Sequence, residues 1–247
     1  MKLTLLLSTL GTAAFLLSAS LPAMAAVTTF TDSSPGTSWI STKVTDTTAG
    51  SAATFSIVNQ GSGGNTGAYR QVTHTFGFGG LGVAHLPDTT TTTAQQFCWY
   101  PISQGEVLTI DYCYDLVHTT GNGSSAVAYT MMIQQGGNYY RPAQDAIFNT
   151  TWTSYSRFGL TANDFSRVQP NSLLLDTTQH PDFSAGAPTL ILGYWSGNSH
   201  TSFGATATTI SGMDNFRINL HHAVPEPSAA LLGVGAAGLM LVRRRRL

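Results

Sequence analysis

Charged side chains are scarce in this chain. Asp, Glu, Lys and Arg make up 9% of its 247 residues, whereas soluble domains average about 25%. Five of the eleven basic residues lie at the two ends, at Lys2 and Arg243–Arg246, which leaves six basic and eleven acidic residues from Ala26 to His222. That stretch would repel phosphate backbones, so a nucleic-acid binder is excluded. A hydrophobic content of 42% also excludes a disordered chain.

The motifs of common catalytic sites are absent. There is no Gly-x-Ser-x-Gly elbow, no His-Glu-x-x-His and no phosphate-binding loop. Glu106 is the only glutamate between the terminal segments, so the glutamate pair of many glycosidases cannot form. Asp111 and Asp115 share a face of a predicted strand, but two exposed carboxylates close to turns are the alternative explanation. We therefore expect no enzymatic activity, and a secreted polysaccharide-acting hydrolase is the alternative.

The first 25 residues have the pattern of a secretory signal peptide. Lys2 supplies the positive start, Leu3 to Leu17 is a nearly continuous apolar run, and Ala23 and Ala25 form a small-x-small cleavage site. We expect signal peptidase to cut after Ala25, so that the remaining chain folds outside the cytoplasm. A retained membrane helix is the alternative, and the small-residue site argues against it.

The C-terminal end combines a proline-rich motif, an apolar segment and a basic cluster. Its parts are Pro225, Glu226 and Pro227, then the apolar residues 229–242, then Arg243, Arg244, Arg245 and Arg246. As a helix the apolar segment reaches about 21 Å, short of the roughly 30 Å hydrocarbon core, and snorkelling arginines and local thinning can supply the difference. The arginines fix this predicted transmembrane helix to the cytoplasmic face. The prolines hold Glu226 in an extended, exposed segment that a protease can bind.

This end resembles the PEP-CTERM sorting signal over residues 224–247. The resemblance implies recognition by an exosortase, a membrane-embedded cysteine-type processing enzyme that cleaves near the motif. It implies a transient inner-membrane anchor, followed by release or transfer to the cell surface or extracellular matrix of a Gram-negative bacterium that makes exopolysaccharide and biofilm. An ordinary tail anchor, the alternative, explains the helix and the arginines but not the Pro-Glu-Pro.

Between the ends, the pattern predicts an all-β fold. Gly, Asn, Pro, Ser and Thr interrupt the chain at short intervals, and apolar residues alternate with polar ones between these breaks. Eight or more short strands over residues 26–220 predict a two-sheet β-sandwich of jelly-roll type, with residues 221–228 as the linker that contains His221 and His222. Four strand faces are predicted, formed by Val72, His74, Phe76 and Phe78; by Leu108, Ile110, Tyr112 and Tyr114; by Val127, Tyr129, Met131 and Ile133; and by Phe216, Ile218 and Leu220.

The two cysteines, Cys98 and Cys113, predict a disulfide in an oxidising compartment. A two-residue hairpin loop at Gly105 and Glu106 would place the two cysteines directly opposite each other, because this loop lies midway between them in the sequence. The same register would put the neighbouring aromatic residues on the other face. Buried free thiols are the alternative.

Several short strings of the body resemble jelly-roll ectodomains found ahead of such sorting tails, which are similar to laminin-G-like and galactose-binding-like carbohydrate modules. The strings are Gly63 to Arg70, Gly105 to Asp115, Trp152 to Tyr155, Pro181 to Ser184 and Gly212 to Phe216. The resemblance implies the fold more than an activity. It also implies a structural Ca²⁺ where the first and last strands meet, with Asp32 and Asp214 as candidate ligands.

Aromatic residues are the candidates for binding a glycan, because their rings stack on sugar faces. Tyr139 and Tyr140, next to glycines in a predicted turn, are the strongest of these. Four others are Trp152, Tyr155, Tyr194 and Trp195. The sequence thus predicts an exported, exosortase-processed, non-catalytic module that associates with glycan or matrix in exopolysaccharide or biofilm. A purely structural surface protein without a ligand is a further alternative.

Overall fold

The computed structural model describes residues 25–32, 38–48, 53–90, 97–121, 126–200 and 206–224. The predicted signal segment up to residue 24, the Pro-Glu-Pro motif, the transmembrane helix and the arginine cluster lie outside these residues. Within the described ranges, no helix has the length and hydrophobicity needed to cross a membrane.

Strands dominate the described residues, with one short α-helix and one 3₁₀ turn besides them. The strands are β1 (Ala25–Asp32), β2 (Trp39–Asp46), β3 (Thr54–Gln60), β4 (Tyr69–Phe76), β5 (Gly79–Pro87), β6 (Cys98–Trp99), β7 (Val107–Gly121), β8 (Val127–Gln135), β9 (Asn138–Arg141), β10 (Asp145–Ile147), β11 (Thr153–Leu160), β12 (Ser166–Val168), β13 (Leu175–Asp176), β14 (Leu190–His200) and β15 (Ala207–Ala223). The helix α1 covers Pro101–Gln104, and the 3₁₀ turn covers Ala162–Asp164.

These strands form two antiparallel sheets. The six-stranded sheet has the order β11-β7-β15-β4-β3, with β1 also paired to β15. The nine-stranded sheet has the order β13-β12-β9-β8-β14-β5-β2, with β10 on β8 and β6 on β14. Side chains from both sheets share one hydrophobic core, so the predicted all-β, two-sheet sandwich is confirmed.

Alternation along the strands places aromatic rings between the sheets. Phe216 of β15 lies at the centre of this core, with ring centroids 6.3 Å from Phe97, 6.4 Å from Tyr114 and 5.6 Å from Tyr194. The predicted strand faces lie mainly in the core, but Leu108 is exposed and Val107 is buried instead. The pairing of β7 with β15 shifts register at this point, which turns Leu108 outward.

The predicted disulfide between Cys98 and Cys113 is wrong: no disulfide bond joins the two cysteines. Pro101 begins the helix α1, so the chain does not return in a hairpin at Gly105. Cys98 pairs with Ile191 in the nine-stranded sheet, and Cys113 pairs with Ser156 in the six-stranded sheet. The flanking aromatic residues do face one core, but from opposing sheets, so the two thiols lie on opposite outer faces of the sandwich.

The folded body extends beyond the predicted boundary at residue 220. His221 and His222 belong to β15 rather than to a linker, and they pair with Val27 and Ala26 of β1. The His222 Nε2 lies 3.1 Å from the hydroxyl of Thr28, within hydrogen-bonding distance. All described strands lie between Ala25 and Ala223, so a protein without both terminal segments retains every strand.

A buried polar layer crosses the interior beside the hydrophobic core. Ser196 Oγ hydrogen-bonds with His85 Nε2 at 2.7 Å and with His74 Nε2 at 3.2 Å. At the two ends of this series of hydrogen bonds, His74 Nδ1 is hydrogen-bonded with Asn198 Oδ1, and His85 Nδ1 with Ser41 Oγ. The layer thus connects β4 of one sheet to β2, β5 and β14 of the other.

Both histidines of this layer are neutral. Burial lowers the pKa of His74 to about 4, although its hydrogen bond with Asn198 opposes the shift. Burial lowers the pKa of His85 well below its usual value, and the positive charge of Arg70 adds to this effect. A neutral imidazole is both donor and acceptor, which suits its place between two side-chain partners.

Candidate functional site

The outer face of the nine-stranded sheet is concave. A cleft of about 370 Å³ is lined both by β2, through Thr42 and Val44, and by β9 and β12, through Tyr139 and Val168. Three strands separate β2 from β9 in the sheet order, so a flat sheet would hold them about 19 Å apart. The sheet therefore curls until its two sides meet around one space, here called the rim cleft.

A second space of about 250 Å³ adjoins the rim cleft and shares Val168 with it. We call it the inner cleft. Trp195, Thr45 and Leu175 line it from the strands of the sheet, and Leu173 lines it from the segment between β12 and β13. That segment folds over the concave face, so the inner cleft lies between the sheet and a cover.

Glycines allow the Trp195 ring to lie against the sheet. A Cβ atom at Gly82 of β5 would overlap the ring atoms Cζ2 and Cη2, and one at Gly197 would lie 2.8 Å from Nε1. Gly82 and Gly197 are cross-strand partners in β5 and β14. This pair of glycines thus forms the seat on which the indole of Trp195 rests.

Arg141 lies over the Trp195 ring. Its guanidinium carbon lies 5.2 Å from the ring centroid, and the residue is only 7% exposed. Burial lowers the pKa of Arg141 to about 10, so the guanidinium is still charged at neutral pH. The stacking with Trp195 offsets part of the cost of burying this charge.

The rim cleft has a different electrostatic character, because its two basic residues are paired with carboxylates. Lys43 lies 2.6 Å from Asp46. Arg167 lies 3.6 Å from Asp176. Tyr139, the remaining large side chain at this rim, is half-buried and packs against the cluster formed around Trp195.

The structure places the two candidate tyrosines on opposite sides of the sheet. Tyr139 lines the rim cleft, whereas Tyr140 is 8% exposed and belongs to the core between the sheets. Consecutive residues of a strand point to opposite faces. The prediction that Tyr140 contacts a glycan is therefore wrong, while Tyr139 remains a candidate.

Four of the short strings that resemble carbohydrate modules meet on the opposite side of the sandwich. The Trp152 Nε1 donates a hydrogen bond to the carbonyl of Gly63 at 3.0 Å. The Asn65 side chain donates to Asp115 at 2.8 Å, and the Thr66 amide donates to Asp214 at 3.2 Å. These contacts pin the 61–67 loop to the six-stranded sheet, so the strings act as a structural latch.

The predicted calcium ligands do not come together. Asp32 follows the inward-facing Phe30 by two residues and accepts a hydrogen bond from Trp39 Nε1 at 2.9 Å. Asp214 lies with the latch on the outer side of the six-stranded sheet. In the described part of the chain, no group of three His, Cys, Asp or Glu residues is arranged to hold a metal ion.

Asp115 and Asp214 stabilise the latch by accepting hydrogen bonds from the 61–67 loop. Asp115 and Asp214 are cross-strand partners. Burial raises the pKa of Asp115, but hydrogen bonds from Ser154, Asn215 and Asn65 outweigh that effect and leave the pKa below its usual value. Such a carboxylate is a poor general acid, because general acids of glycosidases have raised pKa values. Asp111 shares the outer face of β7 with Asp115, as predicted.

No protein-family model matches the chain. No significant match was found among curated proteins either.

Among solved structures, a family 11 carbohydrate-binding module from Clostridium thermocellum, in complex with a β-1,3-1,4-mixed-linked tetrasaccharide, is 13% identical, with a TM-score of 0.42 over 81% of this chain and 98% of that one. The CBM22-1 xylan-binding domain from Paenibacillus barcinonensis is 13% identical, with a TM-score of 0.34 over 75% of this chain and 95% of that one. An exo-β-agarase is 11% identical, with a TM-score of 0.36 over 70% of this chain and 23% of that one. Such distant likenesses carry no argument about ligand or activity.

Proposed function

We propose that this protein is a non-catalytic glycan-binding module whose ligand lies in the concave clefts of the nine-stranded sheet. The observation that carries the proposal is the curled sheet itself, which forms two adjoining clefts with Tyr139 at the rim and the Trp195–Arg141 stack inside. Clefts of a few hundred Å³ with rings and a few polar groups are typical ligand sites. Stacking and hydrogen bonds together are what sugar recognition needs.

A hydrolase is supported less well. Glycoside hydrolysis needs two carboxyl groups about 5–9.5 Å apart facing an open groove. In the described residues the cross-strand carboxylate pair, Asp115 and Asp214, is buried under the 61–67 loop and faces away from the concave clefts. The carboxylates near the clefts, Asp46 and Asp176, are paired with Lys43 and Arg167.

The Tyr139→Ala variant tests this proposal against the Tyr140→Ala variant. Screening on a glycan array identifies a ligand, and calorimetric titration then compares the variants. We expect Tyr139→Ala to weaken binding by about 1–3 kcal/mol and to lower the melting temperature less than Tyr140→Ala does, because the Tyr139 ring lies at the rim and is only half-buried. We expect Tyr140→Ala to lower stability by about 3 kcal/mol, because its ring is in the core. Unchanged binding by Tyr139→Ala would place the ligand elsewhere.

We propose further that the protein is exported, held briefly in the inner membrane and sorted to the cell surface or extracellular matrix by an exosortase. The tail sequence supports this proposal, and the end of the folded body fits it. Pro225 follows the last residue of β15 after a single residue, Val224. Residues 224–228 span at most about 18 Å when extended, so before cleavage the body would sit close to the membrane.

Replacement of Pro225, Glu226 and Pro227 by alanine tests the sorting proposal. We expect export to remain intact, because the signal segment is unchanged, and the variant to stay in the inner membrane as a slightly larger species. Fractionation and immunoblotting measure both location and size. Normal surface release of the variant would identify the tail as a simple anchor.

A further inference from the structure

Arg141 is a buried cation without a counter-ion. The other two basic residues that line the concave clefts, Lys43 and Arg167, each pair with a carboxylate. Among the residues that the structure describes, Arg141 has no carboxylate partner, and its Nη1 donates only to the carbonyl of Pro142, at 3.3 Å. Burying a guanidinium in this way is costly unless an anion joins it.

Further hydrogen-bonding groups of the inner cleft are also unused. Buried side-chain atoms without a hydrogen-bond partner include Arg141 Nε, Trp195 Nε1 and Thr45 Oγ1, and all three residues line the inner cleft. The guanidinium and the indole nitrogen are donors only, and a hydroxyl can donate as well. A ligand group that fits these donors must offer acceptor oxygens and, beside Arg141, negative charge.

We propose that the inner cleft binds the carboxylate of an acidic sugar, a uronic acid within a polysaccharide, and that Arg141 recognises it. This inference rests on the proposed glycan-binding function, since it names the ligand class of the same clefts. The guanidinium of an arginine is planar and presents its N–H groups as a rigid fork, which is the arrangement for bidentate binding of a carboxylate. The neutral part of the chain then extends toward the rim cleft and Tyr139.

The net negative charge of the body leaves Arg141 as the residue that attracts an acidic sugar. The body carries six basic and eleven acidic residues between Ala26 and His222, so it has no broad attraction for a polyanion. A negative sugar therefore gains from Arg141 and not from the general surface. We expect discrimination between a uronate and its uncharged ester to depend on this one residue.

Calorimetric titration with tetragalacturonate, tetramannuronate and their methyl esters tests the inference, with cellotetraose as a neutral glycan. We expect at least one acid to bind at least tenfold more tightly than its own ester. Arg141→Gln should remove this preference, and Arg141→Lys should recover only part of it, because lysine keeps the charge but not the planar stack. The control variant Arg217→Gln, at an exposed residue of β15, should bind like the wild type.

The outcomes separate the inference from the proposed function. Equal binding of acid and ester by the wild type, or an acid preference that survives in Arg141→Gln, would overturn the role of Arg141. If cellotetraose or the esters still bind in a Tyr139-dependent manner, the glycan-binding function stands without it. If none of these glycans binds, the result counts against both the role of Arg141 and the proposed glycan-binding function.

The melting temperature of Arg141→Gln shows whether this variant is folded. Because Arg141→Gln removes an uncompensated buried charge, we expect a melting temperature equal to or above that of the wild type. A variant that gains or keeps stability while losing uronate binding would identify Arg141 as a residue held for ligand recognition. If Arg141→Gln fails to fold, Arg141→Lys takes its place, and an acid preference equal to that of the wild type in Arg141→Lys would overturn the role of Arg141.

Discussion

Acidification from pH 7 to pH 4 is expected to lower the free energy of unfolding by about 3 kcal/mol through His74 alone. In the folded protein burial lowers the pKa of His74 to about 4, whereas the unfolded value is 6.5. Between these values the unfolded chain binds more protons than the folded one, so stability is complete above pH 6.5 and falls as the pH decreases toward 4. His85, whose pKa is lowered further, increases the loss.

Urea denaturation at half-unit intervals of pH measures this dependence. The carboxylates whose pKa is lowered by hydrogen bonding, such as Asp46 and Asp115, lose their contribution below their usual pKa of 3.8, so the two windows separate. His74→Gln should reduce the slope between pH 6.5 and 5. A free energy of unfolding that stays constant across that interval would show that the histidines are charged in the folded state.

The second large effect is expected for Gly82→Ala. The added methyl group would overlap the far edge of the Trp195 ring, and this ring is nearly fully buried, with Arg141 lying over it. We expect a loss of about 3 kcal/mol in the free energy of unfolding, at the upper end of overpacking costs. We also expect at least tenfold weaker glycan binding, because the inner cleft must change shape.

Gly61→Ala is the matched control for that variant. A Cβ atom at Gly61 would meet nothing within 4 Å, so the same chemical change should leave both stability and binding close to those of the wild type. Chemical denaturation and calorimetric titration measure the two quantities. Wild-type stability in Gly82→Ala would mean that the Trp195 ring does not rest on this glycine.

Local patterns in the sequence predict much of this fold. Alternation along β8, along β15 and along β4 as far as Phe76 predicts buried residues correctly, because a strand turns successive side chains to opposite faces. The same rule exposes two errors. It separates Tyr139 from Tyr140, although the sequence predicts that they lie together in a turn, and it turns Cys98 and Cys113 outward from opposing sheets.

The remaining errors come from pairings between distant parts of the chain. Cys98 lies in a strand that pairs with β14, about ninety residues later, and only that pairing excludes the local hairpin. Arg141 has no sequence motif, and its importance depends on the curl that brings β9 and the segment after β12 over Trp195. One signal was available: Gly80 and Gly82 alternate along β5, which is typical of a strand that another group approaches closely.

The indole N–H signals of the four tryptophans give the most direct test of glycan binding in the concave clefts. Three of these groups already donate hydrogen bonds, Trp39 to Asp32, Trp99 to the carbonyl of Gly105 and Trp152 to that of Gly63. Trp195 Nε1 has no partner within the described residues, and Trp195 is one of the residues that line the inner cleft. In a ¹H–¹⁵N titration with a bound uronic-acid oligosaccharide, the Trp195 signal should shift while the other three stay in place. A shift at Trp152 with none at Trp195 would contradict the account and place the ligand on the opposite sheet.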